Sequence, residues 1–344
     1  MSRTTRLDIL LTAHAVIWLV EDLVTRAFRG ALNLLRTCAQ VRPRERVLIV
    51  SDSDTDPAIA STMMAAATRL GVEAISITMR PRALPGDEPP APVVAAMLSS
   101  DVIICPTSRT LYHTNARTLA CRKGARFMSM AGATMAVLAS RAMFADFEKQ
   151  ERLLRKLVRL LTRAKRITVT NRAGTDLEFS VVGRRGYGVS GMATRRGEAT
   201  GVPDIEAYIA PIEGSTNGTL AIDGSTSVTG VVKETIKIDI EGGMAKRLSG
   251  GPDAPRLLQI LRKARSRTAF CVAEFGIGLN PFARIRGAII EDEGALGTAH
   301  IALGDSTRLG GKNKAPLHID LVLKHPHVEF DGRTVLDGKN LTLY

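Results

Sequence analysis

A chain of 344 residues, 45% hydrophobic and 24% charged, is long enough for two buried cores and has an ordinary globular balance, which excludes a disordered or fibrous protein. The net charge of +13 raises the question of nucleic acid, but aromatics at 4% are too few for a base-stacking platform and the basic residues are scattered along predicted helices. We therefore expect solvated helix faces, with no nucleic-acid partner.

The apolar run LDILLTAHAVIWLVEDLV (7–24) is interrupted by Asp8, His14, Glu21 and Asp22, so it predicts an amphipathic helix rather than a signal or membrane segment. Residues 23–38 continue with helical periodicity. RERVLIVSDSD reads as a buried strand at Val47–Val50. DPAIASTMMAAATRLG reads as a helix capped by Asp56 and stopped by Gly71. VEAISITM, DVIICPTS and ARFMSM are further strands, separated by helices at PAPVVAAMLSS and LYHTNARTLACRKG. Alternating β and α units with continuous apolar strands imply a parallel sheet covered by helices on both faces. The turn after the first strand has no glycine, so a dinucleotide fingerprint is absent, and no P-loop occurs. Residues 1–145 thus read as an α/β scaffold, in which His113 is a surface or core histidine.

FADFEKQERLLRKLVRLLTRAK predicts a charged amphipathic linking helix over 146–168. From 169 to 344 the texture is strand-rich and turn-rich, opening with a hairpin around Arg172-Ala173-Gly174 and interrupted by one helix, DAPRLLQILRKARS. The fold class is therefore α/β: an open parallel α/β domain followed by a mixed α+β domain. Charge follows this division, with 24 Lys/Arg against 14 Asp/Glu in residues 1–165 and 23 against 20 in the rest. Cys38, Cys105, Cys121 and Cys271 form no CxxC pair, so reduced, mostly buried thiols of a cytoplasmic protein are expected.

The chemistry concentrates in HIALGDSTRLGGKNKAPLHID, residues 300–320. His318 and Asp320 lie two apart in an apolar strand and project from one face, about 7 Å apart along it. An imidazole and a carboxylate so placed are half of a metal site or, alternatively, a hydrogen-bonded structural pair. His300 lies in a second strand-like run, and the glycines 310–311 and Pro316 supply the turn between the two. Glu274, flanked by Val272, Ala273 and Phe275, would be costly to bury without a metal or basic partner. Its alternative is a solvent-facing strand residue, and that of Glu206, between two prolines, is a loop residue. The acidic run at 291–293 reads as a solvated turn, His325 and His327 as exposed strand residues, and Lys312 and Lys314 as a solvated loop.

GTDLEF, GVPDIEAYIAPIEGSTNGTL, AEFGIGLNP, LGTAHIALGDS and GGKNKAPLHIDLVLKHPHVEFDG resemble, in order, segments of the aminopeptidase T/aminopeptidase S family of metallopeptidases. This resemblance implies metal ligands at Glu206, Glu274, His300, His318 and Asp320, with Glu206 or Glu274 also acting as bridge or base. It implies a homodimer that cleaves small peptides or amide-bearing metabolites through a water activated by two divalent ions, zinc, cobalt or manganese. The family's tyrosine seven residues after the first histidine is Thr307 here. AEFGIGLNP and GGKNKAPLHID also resemble 2,5-dihydroxypyridine 5,6-dioxygenase, a ring-cleaving enzyme with one Fe(II). In that enzyme a histidine stands at the position of Glu274 and the His300 counterpart is missing. The expectations are thus a metal-dependent hydrolase, alternatively a non-haem Fe(II) dioxygenase acting on a hydroxylated N-heteroaromatic, and third a catalytically degenerate scaffold.

Overall fold

The computed structural model describes residues 21–343. Most of the predicted N-terminal amphipathic helix lies outside the described residues; residues 21–33 are helical and run into a π-helical turn, Leu34–Cys38.

Five parallel strands form the first sheet, in the order Glu73–Met79, Arg46–Asp52, Val102–Cys105, Arg126–Ser129 and Ala199–Gly201. Alternation along these strands feeds both faces. Leu48, Val50, Ile103 and Phe127 pack with Val93, Met97 and Ala120 on one side. Val47, Ile49, Ile104 and Met128 pack with Leu34, Ile59 and Met63 on the other. The helix Pro57–Arg69 starts as expected, with the Asp56 carboxylate accepting from the Ala58 N–H at 2.9 Å. Gly71, at φ +68°, follows its end.

The helix Phe147–Arg163 buries Leu154, Leu157 and Leu161 and packs on the strands Tyr187–Val189 and Glu206–Ile209. The predicted hairpin joins Arg166–Thr170 to Asp176–Ser180 in an eight-stranded sheet. A seven-stranded antiparallel sheet lies beside it, and the two meet through apolar side chains such as Phe179 and Phe275, whose rings are 5.3 Å apart. The strand Ala199–Gly201 returns the chain to the parallel sheet, and the next residues run directly to Glu206. The chain thus passes from the edge of the first sheet to the seven-stranded sheet through residues 202–205 alone. Cys38, Cys105 and Cys121 are buried and Cys271 half-buried, all as free thiols. Among the described residues no helix is long and apolar enough to cross a membrane.

Candidate metal centre

Four neighbouring strands of the seven-stranded sheet carry the five residues singled out above: Glu206–Ile209, Val272–Gly278, Thr298–Gly304 and His318–Lys324. Their register sets Glu206 opposite Gly278, His300 opposite Gly276, Asp320 and Glu274 each opposite Ala302, and His318 opposite Gly304. Directly opposed residues of an antiparallel pair project from the same face, so all five side chains converge. The intervening positions on that face are Gly276, Gly278, Ala302 and Gly304, which leave room for them. Alternate positions (Phe275, Ile277, Ile301, Leu303, Ile319, Leu321) are at most 2% exposed and belong to the core. A one-residue slip would drive the charges into that core, so the apolar face pins the polar one.

Close approach is strictest at Gly276. A Cβ there would lie 2.1 Å from His300 Cε1 and 2.3 Å from Nε2, so the imidazole rests on bare backbone.

His318 Nε2 lies 2.9 Å from Glu274 Oε2 and 3.1 Å from Asp320 Oδ1. Its Nδ1 faces the Asp305 carbonyl at 2.8 Å, which accepts the Nδ1–H and leaves Nε2 for the cluster. His300 Nε2 lies 3.3 Å from Glu206 Oε2 and 3.9 Å from Glu274 Oε1. Glu274 is therefore buried between two imidazoles, 5% exposed, and Glu206 is 6% exposed at the start of its strand. The solvent-facing and loop alternatives for these two carboxylates do not hold.

Two further acids join the five. Potential ligand atoms within 4.8 Å of one another are offered by Glu206, Glu274 and His300; by Glu274, His318 and Asp320; by Glu293, His300 and Asp320; and by Asp204, Glu206 and Glu293. The solvated turn expected at 291–293 is thus corrected. Glu291 and Asp292 are fully buried because the Arg284, Arg286 and Gly287 N–H groups donate to their carboxylates, and Glu293 turns into the cluster. Reading the three acids as one charge run hid this. Asp204 was legible in PDIE, where two acids lie two apart like the members of HID.

Five carboxylates and two imidazoles in a buried site need protons or cations. Without metal, burial pushes Glu206 up to about 8, and burial with neighbouring carboxylates raises Asp204 and Glu293 well above the usual range. Burial would also raise Glu274, but hydrogen bonds to His300 and His318 outweigh it and hold the carboxyl at about 2. Burial lowers His300, and Glu206 and Glu274 more than reverse this, raising it to about 9. Asp204 Oδ1, Glu206 Oε2 and His300 Nδ1 are buried with no hydrogen-bond partner. The stranded carboxylate oxygens of Asp204 and Glu206, members of one donor set, fit a divalent cation.

The cluster's surroundings are aromatic. Three of the chain's four tyrosines gather there, each half-buried: Tyr187 stacks on Tyr208 at 5.9 Å, and Tyr208 and Tyr112 both feel the charges of Glu206 and Asp204. His113 sits edge-on to Tyr112 at 5.3 Å. Burial first, then the positive charges of His318 and Arg308, lower His113 to about 4, so it is neutral near pH 7. It comes from the loop before Asn115–Arg122, in the half read as scaffold; only the fold brings it here. Thr307 is exposed and donates its hydroxyl to Asp305 at 2.7 Å. Lys312 and Lys314 are exposed, as expected. So is His325, whereas His327 is half-buried between Glu329 and Asp337.

The family model of 2,5-dihydroxypyridine 5,6-dioxygenase (NicX) matches residues 24–342. The chain belongs to this family. A curated relative, 2,5-dihydroxypyridine 5,6-dioxygenase of Pseudomonas putida strain KT2440, is 25% identical over 189 residues. That match covers 52% of this chain and 54% of the relative, so it spans about half the relative's length. The solved structure of the Pseudomonas putida KT2440 dioxygenase superposes with a TM-score of 0.78 at 20% identity, covering 93% of this chain and 98% of that one. Wild-type AmpT from Thermus thermophilus superposes with a TM-score of 0.67 at 14% identity, covering 92% and 99%. The resemblance to aminopeptidases therefore holds as a relationship of fold, and the family is that of the dioxygenase.

Proposed function

We propose that the chain is an Fe(II)-dependent ring-cleaving dioxygenase of this family, acting on a hydroxylated N-heteroaromatic. The observation that carries the reading is the half-buried aromatic wall of Tyr112, Tyr187, Tyr208 and His113 around the carboxylate–imidazole cluster, in a chain otherwise poor in aromatics. Stacked and edge-on rings suit a flat aromatic substrate.

Glu274, His318 and Asp320 would hold the iron, since His318 and Asp320 are the more open members of the donor sets. The bound ion would supply Lewis-acid and one-electron chemistry towards ring and dioxygen. The Asp305 carbonyl fixes the His318 tautomer, and the Ser227 hydroxyl holds the Asp320 backbone N–H at 3.0 Å. His113, neutral and close enough to feel the charges of the cluster, would accept the proton of a ring hydroxyl. Tyr208 and Tyr187 would orient the ring and exclude water.

One observation favours a second reading, a two-metal hydrolase of aminopeptidase type. Glu206 and His300 form a second, fully buried donor set that shares Glu274 with the first, and five carboxylates carry more charge than one divalent ion neutralises. Elemental analysis of protein purified without chelator, with oxygen uptake on 2,5-dihydroxypyridine and amine release from aminoacyl amides, separates the two. One iron per chain with oxygen uptake supports the oxygenase. Two zinc, cobalt or manganese ions with amine release transfer the assignment to the hydrolase.

A further inference from the structure

Away from the metal centre, the helix of residues 21–33, the 136–144 segment and the 282–286 loop border a half-open cleft of about 560 Å³. It shares no residue with the metal centre. Five arginines line it: Arg26, Arg29, Arg141, Arg284 and Arg286. Among the described residues no carboxylate does. Arg26 pairs with Asp22 at 2.8 Å, and Arg286 lies 3.8 Å from the buried Glu291. Among the described residues no acid pairs with Arg29, Arg141 or Arg284. Two of the protein's few exposed large hydrophobic side chains, Phe144 and Phe282, open into the same cleft, 42% and 38% exposed. The Arg141 guanidinium lies 4.7 Å from the Phe282 ring centre, which holds its fork beside an aromatic face.

Like charges gathered in one concavity repel, and an ordinary solvated surface intersperses acids among them. All five cations are arginines rather than lysines, the choice suited to bidentate recognition of phosphate or carboxylate oxygens. The volume falls in the range of small-molecule sites, which argues against an extended polymer. We propose that this cleft binds a small organic polyanion that carries a flat ring, of the nucleoside-phosphate class. The anionic groups bridge Arg29, Arg141 and Arg284, and the ring lies against Phe282 or Phe144.

The test is calorimetric titration of the metal-loaded protein with ADP, pyrophosphate and adenosine. Saturable ADP binding is expected, weaker binding of pyrophosphate, and none of adenosine. Arg141→Gln and Arg284→Gln each weaken ADP about tenfold, and Phe282→Leu weakens ADP while leaving pyrophosphate unchanged. His318→Ala binds ADP as the wild type does, which separates this cleft from nucleotide captured at the metal centre. The arginine variants are checked by melting temperature and gel filtration. The proposal is overturned if the wild type shows no saturable ADP binding up to about 1 mM, or if pyrophosphate binds as tightly as ADP. It is also overturned if the arginine variants, folded as the wild type is, keep full affinity. A variant that instead dissociates an oligomer, in a protein that binds no ADP, marks the cleft as an interface and sinks the proposal.

Discussion

Gly276→Ala is the sharpest probe of how the centre is built. The strand it sits in keeps every other residue, yet the new methyl would stand 2.1 Å from His300 Cε1. That is more than an ångström inside ordinary van der Waals contact, and the ring is 1% exposed, so it has nowhere to retreat. Either the Val272–Gly278 and Thr298–Gly304 strands separate or the imidazole swings off Glu206 and Glu274. Overpacking of this kind costs about 1–3 kcal/mol, or roughly 1–4 °C in melting temperature for a protein of this size. Gly71→Ala is the control: its φ of +68° carries left-handed strain, but no atom stands within 4 Å of the added methyl. Differential scanning calorimetry and metal titration of both variants decide the matter. Gly276→Ala is expected to lose stability and to keep most of the affinity of an ion held by Glu274, His318 and Asp320, while Gly71→Ala changes stability alone; a loss of metal affinity of about tenfold or more in Gly276→Ala would show that His300 holds an ion and refute the one-ion assignment. Wild-type metal affinity in Gly276→Ala would show that His300 takes no part in holding the ion.

Other expectations follow from the same geometry. His318→Ala, which removes the imidazole shared by Glu274 and Asp320, should abolish stoichiometric metal at the open set; elemental analysis that returns the wild-type content would refute the ligand assignment. In the metal-free protein Glu206, raised to about 8, and His300, raised to about 9, bind protons more tightly folded than unfolded. Their stabilisation is therefore complete below about pH 4.5 and 6.5 respectively and is lost as pH rises to about 8 and 9. The melting temperature of chelator-treated protein should fall between pH 5 and 9, and saturating metal should flatten that fall; an apo protein that gains stability over this range would contradict the charge assignment. Glu45→Gln removes the partner of Arg126, which is 2% exposed, and should cost about 1–3 kcal/mol in denaturant unfolding without altering metal content.

The parallel sheet was legible because its signals are local. Val47–Val50 and Val102–Cys105 are continuous apolar runs, and Asp56 and Gly71 punctuate the intervening helix with caps that act within four residues. The H-x-D pair was legible for a similar reason, since period two fixes a common face without any knowledge of partners. What the sequence does not display is pairing between distant segments. The strand Ala199–Gly201 reads as part of the strand-rich half, yet it hydrogen-bonds to Arg126–Ser129, because a three-residue strand carries no mark of its neighbour. His113 stands among helix-forming residues, and only the fold brings it close enough to feel the charges of His318 and Glu274. The run at 291–293 failed on a different count. Composition says solvent, but three backbone N–H groups of the preceding loop solvate Glu291 and Asp292 inside the protein.

The small residues on the polar face are as informative as the ligands. Gly276, Gly278, Ala302 and Gly304 occupy the positions opposite His300, Glu206, Asp320 and Glu274, and His318. In a sheet built only for stability these would be β-branched or aromatic, since bare backbone packs poorly. Four small residues on one face of two adjacent strands form a floor low enough for seven ionisable side chains to meet above it. The sheet gives up packing there and recovers it on the other face, where Phe275, Ile277, Ile301, Leu303, Ile319 and Leu321 are buried against the second sheet. The floor also bears on the metal. Enlarging Ala302, which lies opposite both Glu274 and Asp320, should push those carboxylates apart, whereas enlarging Gly276 displaces His300. A mononuclear site on Glu274, His318 and Asp320 would then lose its ion to Ala302→Val and keep much of its affinity in Gly276→Ala. A two-ion site that uses both donor sets would suffer from either.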